Sequence, residues 1–242
     1  YMIFDKNKYD MNNFLKFLGS FISDGWVDEG NKHRRIAISM TKLRKKTFIE
    51  NALNELNINY NMRSDRVLIG NNYKEVVDYF KKLSVGASNK YLPNFVWNLS
   101  QKQSIILLES LIQGDGHIDK NGCYSYCTSS KILANDIQKL ALHCGWSGTI
   151  KLYKGREAGI VSIIKDITIT SKYDNFIVRI VKKKNEPQIN HGHTKKQHTQ
   201  IEEYVKYTGK VSCIEVPETH LFYYKEDLLS PPCWTGNSSR HG

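Results

Sequence analysis

Two short apolar segments of the chain share one pattern and lie 91 residues apart. Residues 17–25 have the sequence FLGSFISDG, and residues 108–116 have the sequence LESLIQGDG. Each predicts a helix that ends in Asp-Gly and carries small residues that permit close packing against a second helix. Packed together, the two helices would place Asp24 beside Asp115. Paired carboxylates are ligands for a divalent cation, and such a site can hydrolyse phosphodiesters.

The repetition extends beyond these two segments. In the first repeat, the pattern predicts a strand over 34–40, a helix over 43–56, a hairpin over 57–62 and 66–69, and a helix over 73–83. In the second, it predicts a strand over 124–128, a helix over 132–144, and strands over 149–153, 160–170 and 176–181. A period of about 90 residues predicts two similar halves that associate like a homodimer through the acidic helices.

The chain is strongly basic, with a formal net charge of +11 and a pI of about 9.3. Together with 14 tyrosines among the lysines and arginines, this charge favours a nucleic-acid partner. An anionic membrane is less favoured, because no apolar run reaches about 18 residues. Five cysteines without a leading signal segment favour reduced thiols, so we expect an intracellular protein, in the cytoplasm or nucleus, that is not secreted.

A Lys-x-x-Pro sequence closes each repeat. Lys90 lies 66 residues after Asp24, and Lys184 lies 69 residues after Asp115. A lysine near each metal would stabilise the charge that develops on a phosphoryl group during hydrolysis. The alternative is that both are ordinary phosphate contacts or solvated ends of elements, and spacing alone favours that alternative, above all for Lys184.

The last fifth of the chain follows a different pattern. A polar segment leads to two short strand-like runs, at 211–216 and 221–224, and then to Asn237 followed by Ser238. An asparagine side chain can attack its own backbone carbonyl and release the next residue, and a serine hydroxyl can act as a nucleophile when a base assists it. The alternative is that Asn237-Ser238 is a surface turn.

These motifs together resemble an intein that carries a homing endonuclease of the LAGLIDADG (dodecapeptide, DOD-type) family. The resemblance implies an α+β fold with two pseudo-symmetric αββαββα halves, saddle-shaped antiparallel sheets and a short β segment of a Hint-type splicing domain. It divides the chain into a first half (1–100), a second half (101–195), a C-terminal splicing segment (196–237) and the start of the host protein (238–242).

The resemblance also assigns roles to particular residues. The metal-binding acids of the family motif fall on Asp24 and Asp115, with Mg²⁺ or another divalent cation as cofactor, and its catalytic lysine falls on Lys90. Lys184 is the candidate for the equivalent lysine of the second half. In the tail, Asn237 would cyclise, Ser238 would be the acceptor nucleophile and His220 would assist. Gly236 departs from the usual histidine, which puts the usual assistance to cyclisation in question.

Each sheet would face the major groove of double-stranded DNA, where alternate side chains contact base edges and phosphates. The candidates in the first half are Arg34, Arg35, Ser39, Lys42, Arg63 and Arg66. Those in the second half are Lys151, Lys154, Arg156, Lys165 and Lys172.

The implied partners are a DNA target, an N-terminal splicing half that this sequence lacks, and a host protein. Residues 238–242 resemble a stretch of the second-largest, β-type subunit of RNA polymerase, so we expect a fragment of an intein in that host, acting as a monomer with internal pseudo-symmetry. One alternative is a catalytically inactive LAGLIDADG nucleic-acid-binding module, either a decayed endonuclease or a maturase-like protein. Another is a structural piece of the polymerase, which the internal repeat disfavours.

Overall fold

A computed structural model of the chain describes residues 1–30, 33–70, 72–155, 173–183, 204–210 and 214–236, and the backbone of 162–164 and 167–169. The first half contains β1 (Met2–Phe4), β2 (Asn7–Tyr9), α1 (Met11–Asp24), β3 (Gly25–Glu29), β4 (Arg34–Ser39), α2 (Leu43–Glu55), β5 (Asn61–Met62), β6 (Arg66–Ile69) and α3 (Lys74–Leu83). Two 3₁₀ turns, Ala87–Asn89 and Asn94–Asn98, lead to the remaining elements, which are α4 (Gln101–Asp115), β7 (Gly116–Ile118), β8 (Tyr124–Thr128), α5 (Lys131–His143), β9 (Ser147–Tyr153), β10 (Ser162–Ile164), β11 (Ile167–Ile169), β12 (Asn175–Val181), β13 (Leu221–Tyr224) and β14 (Cys233–Gly236).

The internal repeat appears directly in the sheet topology. The first half forms an antiparallel sheet in the order β3-β4-β6-β5, and the second half forms one in the order β7-β8-β12-β9. When β10 and β11 are left out of the count, the second strand of each half lies next to the fourth. The α+β fold with two matching antiparallel halves is therefore confirmed. The first half completes the αββαββα order. In the second half, a helix after β12 would lie outside the described residues.

Some elements differ from the sequence-based expectation. The strands β3 and β7 were not predicted, because an Asp-Gly step normally marks a turn and both strands are short. Within the range 160–170, the described residues form not one strand but two, β10 and β11, which pair antiparallel and follow β9 in the chain. In the tail, 214–216 are not a strand and 211–213 lie outside the described residues, while β14 pairs with β13.

The two halves meet where α1 packs against α4. A Cβ atom added to Gly19 would lie 2.6 Å from the Cβ of Ser110, and one added to Gly114 would lie 2.3 Å from the Cβ of Ser23. Each pair is separated by the repeat period of 91 residues, so each small residue contacts its own counterpart. This contact is isologous, as the repeat predicted, and the pseudo-twofold axis passes through it. One glycine in each pair gives the backbones room to approach.

Apolar side chains on both sides of this contact form one hydrophobic core that spans the two halves. In the first half, the Phe80 ring of α3 lies 4.5 Å from the ring of Phe17 and 4.6 Å from that of Phe21, centroid to centroid. All three rings are fully buried. Burial of each phenylalanine contributes roughly 1.5–3 kcal/mol, so the helices hold the sheet in a fixed position.

The C-terminal hairpin β13–β14 packs on α5 of the second half. The Lys225 amine donates to the side-chain oxygens of Gln138 and Asn135 at 2.5 and 2.6 Å, and Gln138 in turn donates to the Ser230 carbonyl at 3.3 Å. The ring of Trp234 meets that of His143 edge-on at 5.7 Å. Because Gln138 is completely buried, this polar network ties the tail to the body of the second half.

None of the helices in the described ranges has both the length and the apolar character required to span a membrane.

Gly114→Ala should destabilise the protein by about 1–3 kcal/mol, because the new methyl group would overlap Ser23. This loss is expected although alanine is the better helix former by about 1 kcal/mol. Urea unfolding followed by circular dichroism measures it. Gly70→Ala is the matched control, since nothing lies within 4 Å of its added methyl group. Ser23→Gly should recover part of the loss in the Gly114→Ala background. Equal stability of the Gly114 and Gly70 variants would contradict the close helix contact.

Candidate active site and nucleic-acid interface

Asp24 and Asp115 are the last residues of α1 and α4. Each helix begins with a side-chain cap, from Asp10 and from Ser100, and each passes into a strand at its Asp-Gly step. Gly25 and Gly116 have extended backbone angles that any residue can adopt. A glycine stands at each step because there is no room for a side chain. A Cβ atom on Gly25 would lie 2.4 Å from the ring of the residue four positions earlier. The same crowding occurs at the second Asp-Gly step, so both carboxylates occupy the same helix–strand junction.

The two carboxylates lie close together. The Oδ2 atom of Asp24 is 3.8 Å from the position of a Cβ atom on Gly114, the residue before Asp115. Burial is the largest cause that raises the pKa of Asp115 to about 6, and the negative charge of Asp24 contributes to the same increase. The structure therefore places the two predicted acids in one electrostatic site.

The carboxylate of Asp115 opens into a cleft of about 300 Å³. Asp115 is an exposed residue at this opening, although neighbouring protein atoms partly desolvate its carboxyl group. The cleft is lined by Ala87, Lys90, Asp115, Cys127, Thr128, Ser129 and Asn175. A phosphate group could approach the acids through this opening.

Lys90 lies near both acids, since both affect its pKa, although its spacing alone favoured an ordinary lysine. Its amine donates a hydrogen bond to the backbone carbonyl of Ser23. Burial lowers the pKa of Lys90, while Asp115 and Asp24 act in the opposite direction. The backbone of Lys90 is fixed by the hydroxyl of Ser130, the capping residue of α5, which donates to the Lys90 carbonyl at 2.6 Å.

A second lysine contacts the site, and sequence reasoning missed it. The amine of Lys45, in the first turn of α2, is 2.5 Å from Oδ2 of Asp24, and its side chain is only 13% exposed. Lys45 is the third residue of α2. The third residue of α5, the corresponding helix of the second half, is Leu133, which is buried. The internal repeat thus gave no signal for Lys45. Among the described residues, no ion pair of this kind reaches Asp115.

The donor set fits a magnesium-type cation. In the described part of the chain, no group of three or more His, Cys, Asp or Glu side chains converges on one point. Two carboxylates are nevertheless what Mg²⁺ uses when substrate phosphates and water complete its coordination. Asp24 and Asp115 are the residues that would hold it.

Three of the predicted DNA contacts lie on the outer face of the first sheet, away from the helices. Arg35, Ser39 and Arg66 alternate with buried residues on β4 and β6, and the guanidinium of Arg66 lies 5.6 Å from the ring centroid of Trp26. Arg63 is exposed in the turn between β5 and β6, and Lys42 is exposed at the start of α2.

The assignment of Arg34 to this face is wrong. Arg34 shares its face of β4 with the fully buried Ile36 and Ile38. Its guanidinium lies 2.7 Å from Asp78 of α3 and 3.2 Å from Glu29. Neighbouring strand residues point to opposite faces, so Arg34 and Arg35 cannot both face the DNA.

On the second sheet, Lys151 lies on the outer face and Lys154 is exposed just after β9. Arg156, Lys165 and Lys172 lie outside the described residues. Sequence reasoning missed Arg179 and His117, which are exposed on the same outer face. Arg179 is the one charged residue of β12 and lies between the apolar Val178 and Ile180, which was a signal that could have identified it.

Of the predicted splicing residues, His220 is described, whereas Lys184, Asn237 and Ser238 lie outside the described residues. His220 has a positive φ of 52° and directly precedes β13. Its carbonyl oxygen is 2.5 Å from the position of a Cβ atom on Gly236. The hairpin therefore places His220 beside the residue before Asn237, and it explains why position 236 is glycine.

Comparisons with known proteins bear on the fold and the site. Residues 102–185 match the model of the LAGLIDADG-like domain, which confirms the LAGLIDADG resemblance for the second half. Mesophilic variants of the homing endonuclease I-DmoI have a TM-score of 0.47 and 14% identity over 71% of this chain and 89% of theirs. I-DmoI in complex with DNA and Mn has a TM-score of 0.46 and 14% identity over 71% of this chain and 91% of that chain.

Two curated proteins are also similar in sequence. The DNA-directed RNA polymerase subunit beta C-terminal section of Stigeoclonium helveticum is 29% identical over 286 aligned residues, which cover all of this chain and 25% of that protein. The ATP-dependent Clp protease proteolytic subunit of Chlamydomonas moewusii is 34% identical over 154 aligned residues, covering 59% of this chain and 15% of that protein. The chain thus spans a quarter or less of these relatives.

Asp115→Asn should stabilise the metal-free protein more at pH 7 than at pH 4. Above the folded pKa of about 6, the wild-type carboxylate is charged in a site that disfavours charge, and the amide removes that cost. Below the unfolded pKa of about 4, the carboxyl is neutral in both states and the difference disappears. Because the group reaches solvent, we expect a gain on the order of 1 kcal/mol.

Urea unfolding across this pH range measures the gain. Asp119→Asn is the control, and its effect on stability at pH 7 should have the opposite sign. Its carboxylate has a lowered pKa because it accepts backbone hydrogen bonds, so the substitution should destabilise the protein at pH 7 and lose that effect as the pH falls. A gain for Asp115→Asn that does not change with pH would contradict the raised pKa.

Proposed function

We propose that this chain is a site-specific, metal-dependent DNA endonuclease of the homing type. The observation that carries the proposal is the convergence of Asp24 and Asp115 at the ends of two closely packed helices, with Lys90 near both. Two sheets with basic outer faces flank this point on either side of the pseudo-twofold axis. Such an arrangement matches the two strands of a duplex, which are themselves related by twofold symmetry.

Each group at the site has a definite task in phosphodiester hydrolysis. A bound divalent cation supplies Lewis-acid stabilisation and a water of lowered pKa. Asp24 and Asp115 would hold that cation, and the amine of Lys90 would stabilise the negative charge that develops on the phosphate oxygens. Lys45 holds the Asp24 carboxylate in place through its ion pair.

The outer faces provide the binding surface for the DNA target. Arg35 and Arg66 of the first half and Lys151 of the second are placed to contact phosphates and base edges. The solved I-DmoI complexes are described as containing target DNA with Mn or Mg, which supports a duplex partner and a divalent cofactor for this chain as well.

A catalytically inactive DNA-binding module is the second candidate. One observation favours it, because the Lys45 amine already occupies an oxygen of Asp24 at 2.5 Å. If that ion pair excludes the cation, the fold would bind DNA without cutting it. The nuclease assay described below separates the two candidates.

We also assign the tail to the C-terminal part of an intein, with Asn237 as the cyclising residue, Ser238 as the acceptor and His220 as the assistant. The two curated relatives bear unrelated names, a polymerase subunit and a protease subunit, yet the same chain matches both. A segment that recurs in unrelated enzymes is expected of a mobile insertion. A purely structural piece of a polymerase would not explain the protease match. The proposed host is the β-type polymerase subunit.

Asp24→Asn and Asp115→Asn should each reduce double-strand cleavage by at least about a hundredfold, because each removes a metal ligand. DNA binding should change little, since the contacts that position the duplex lie elsewhere. Cleavage of a randomised duplex library with Mg²⁺, read by sequencing the cut ends, measures activity, and gel retardation measures binding. Arg34→Ala is the matched control and should cut normally. Binding without cleavage by the wild-type chain would favour the inactive module, and full activity of Asp24→Asn would remove that residue from the site.

If the tail is a splicing element, adding an N-terminal splicing half in trans should release a peptide that begins at Ser238, or ligate it to the upstream partner. Mass spectrometry of the C-terminal product follows the reaction. Asn237→Ala should abolish the product, and His220→Ala should slow its appearance, because the histidine assists cyclisation. An intact bond in the presence of a folded N-terminal half would mean that only the endonuclease proposal survives.

A further inference from the structure

Strand register makes the outer faces of the two sheets directly comparable. In each half, the first strand begins at the glycine of the Asp-Gly step, Gly25 or Gly116. The next residue, Trp26 or His117, therefore occupies the same place in its half, two positions after the proposed metal-binding acid. Each of these two residues pairs with one residue of the neighbouring strand, which pairs with one residue of the next strand. The side chains of these paired residues form one row across each sheet.

The two rows lie on the outer faces, at equal distances from the pseudo-twofold axis. The first-half row consists of Trp26, Ala37, Leu68 and Asn61. The second-half row consists of His117, Ser125, Arg179 and Thr149. A duplex centred on the two acids would meet these rows at symmetry-related base pairs.

The first-half row presents mainly apolar side chains. Trp26 and Leu68 are half-buried, and Ala37 between them is only 1% exposed. The guanidinium of Arg66 covers one side of the Trp26 ring. This row presents apolar surface to a base pair. The group in the major groove that such a surface contacts favourably is the methyl group of thymine.

The second-half row offers hydrogen bonds. The side chain of Arg179 is 62% exposed, and its guanidinium lies 3.6 Å from Asp119. Asp119 is itself held, because its Oδ1 atom accepts hydrogen bonds from the backbone amides of Asn121 and Cys123 at 2.8 and 2.9 Å. The acid thus orients the arginine without burying it, so most of the arginine side chain remains accessible to a ligand.

We infer that Arg179 of the second half and the apolar pair Trp26 and Leu68 of the first half discriminate different bases at symmetry-related positions. Arg179 selects guanine in the second half-site, because a guanidinium fork matches the O6 and N7 acceptors of that base. The first-half row selects thymine at the equivalent position through apolar contact with Trp26 and Leu68. This inference rests on the proposed DNA recognition, and it deepens it by naming the residues that discriminate bases.

Binding selection in EDTA tests the inference separately from cleavage. The full chain is mixed with randomised duplexes without a divalent cation, and the retained duplexes are sequenced. For the wild type, we expect guanine in one half-site and thymine at the symmetric position in the other. Arg179→Leu should lower the guanine preference by roughly 5- to 100-fold and leave the first half-site unchanged.

Two further variants sharpen the test. Arg179→Lys keeps the charge but loses the fork, so it should retain overall affinity while relaxing guanine selection. Leu68→Arg places an arginine at the counterpart of Arg179 and should add a guanine preference at the symmetric position. Lys154→Ala, beyond the end of β9, is the control and should weaken binding without changing any base preference.

An unchanged preference profile for both Arg179 variants would overturn the inference. So would a wild-type profile that is palindromic about the centre, or the absence of any selected sequence. Cleavage does not enter these outcomes. A chain that selects this asymmetric site in EDTA but fails to cut it with Mg²⁺ would support the inference while refuting the proposed nuclease activity.

Discussion

The close approach of α1 to α4 is the contact on which the rest of the molecule depends. At two levels along these helices, a glycine faces its own counterpart, Gly19 against Ser110 and Gly114 against Ser23, which leaves no room for another methyl group. The approach brings the two helix ends together and thereby the two carboxylates. Since each helix continues directly into a strand, the same contact also fixes both sheets relative to the acids.

Symmetry at this axis does not extend to the chemistry around it. Asp24 is held by Lys45, whereas the counterpart of that lysine is the buried Leu133. Asp115 instead faces an open cleft, and its pKa is raised. The repeat therefore supplies a common framework, and substitutions around it give the two carboxylates different charge environments. A single chain can diverge in this way, because its two halves mutate independently.

The tail is part of the folded body. The Lys225–Gln138 hydrogen bond and the contact of Trp234 with His143 hold the β13–β14 hairpin against α5. Burying an amide such as Gln138 is costly unless its hydrogen bonds are made, and here partners from the helix side and the tail make them together. The β13–β14 hairpin is therefore anchored to the second half, and His220 is held beside Gly236.

Sequence alone determined the repeat and the two acidic helix ends, because helical periodicity and an Asp-Gly step are local signals that occur twice. It also determined most helices and strands. Only the tertiary structure decided which side chains meet. Lys45 reaches Asp24 from another helix and has no acidic or basic counterpart in the repeat, so no pattern marked it. Arg34 turns away from the outer face, and the apolar run 36–38 of β4 did not show which of Arg34 and Arg35 would do so. That outcome depends on pairing between distant segments, which local sequence does not specify.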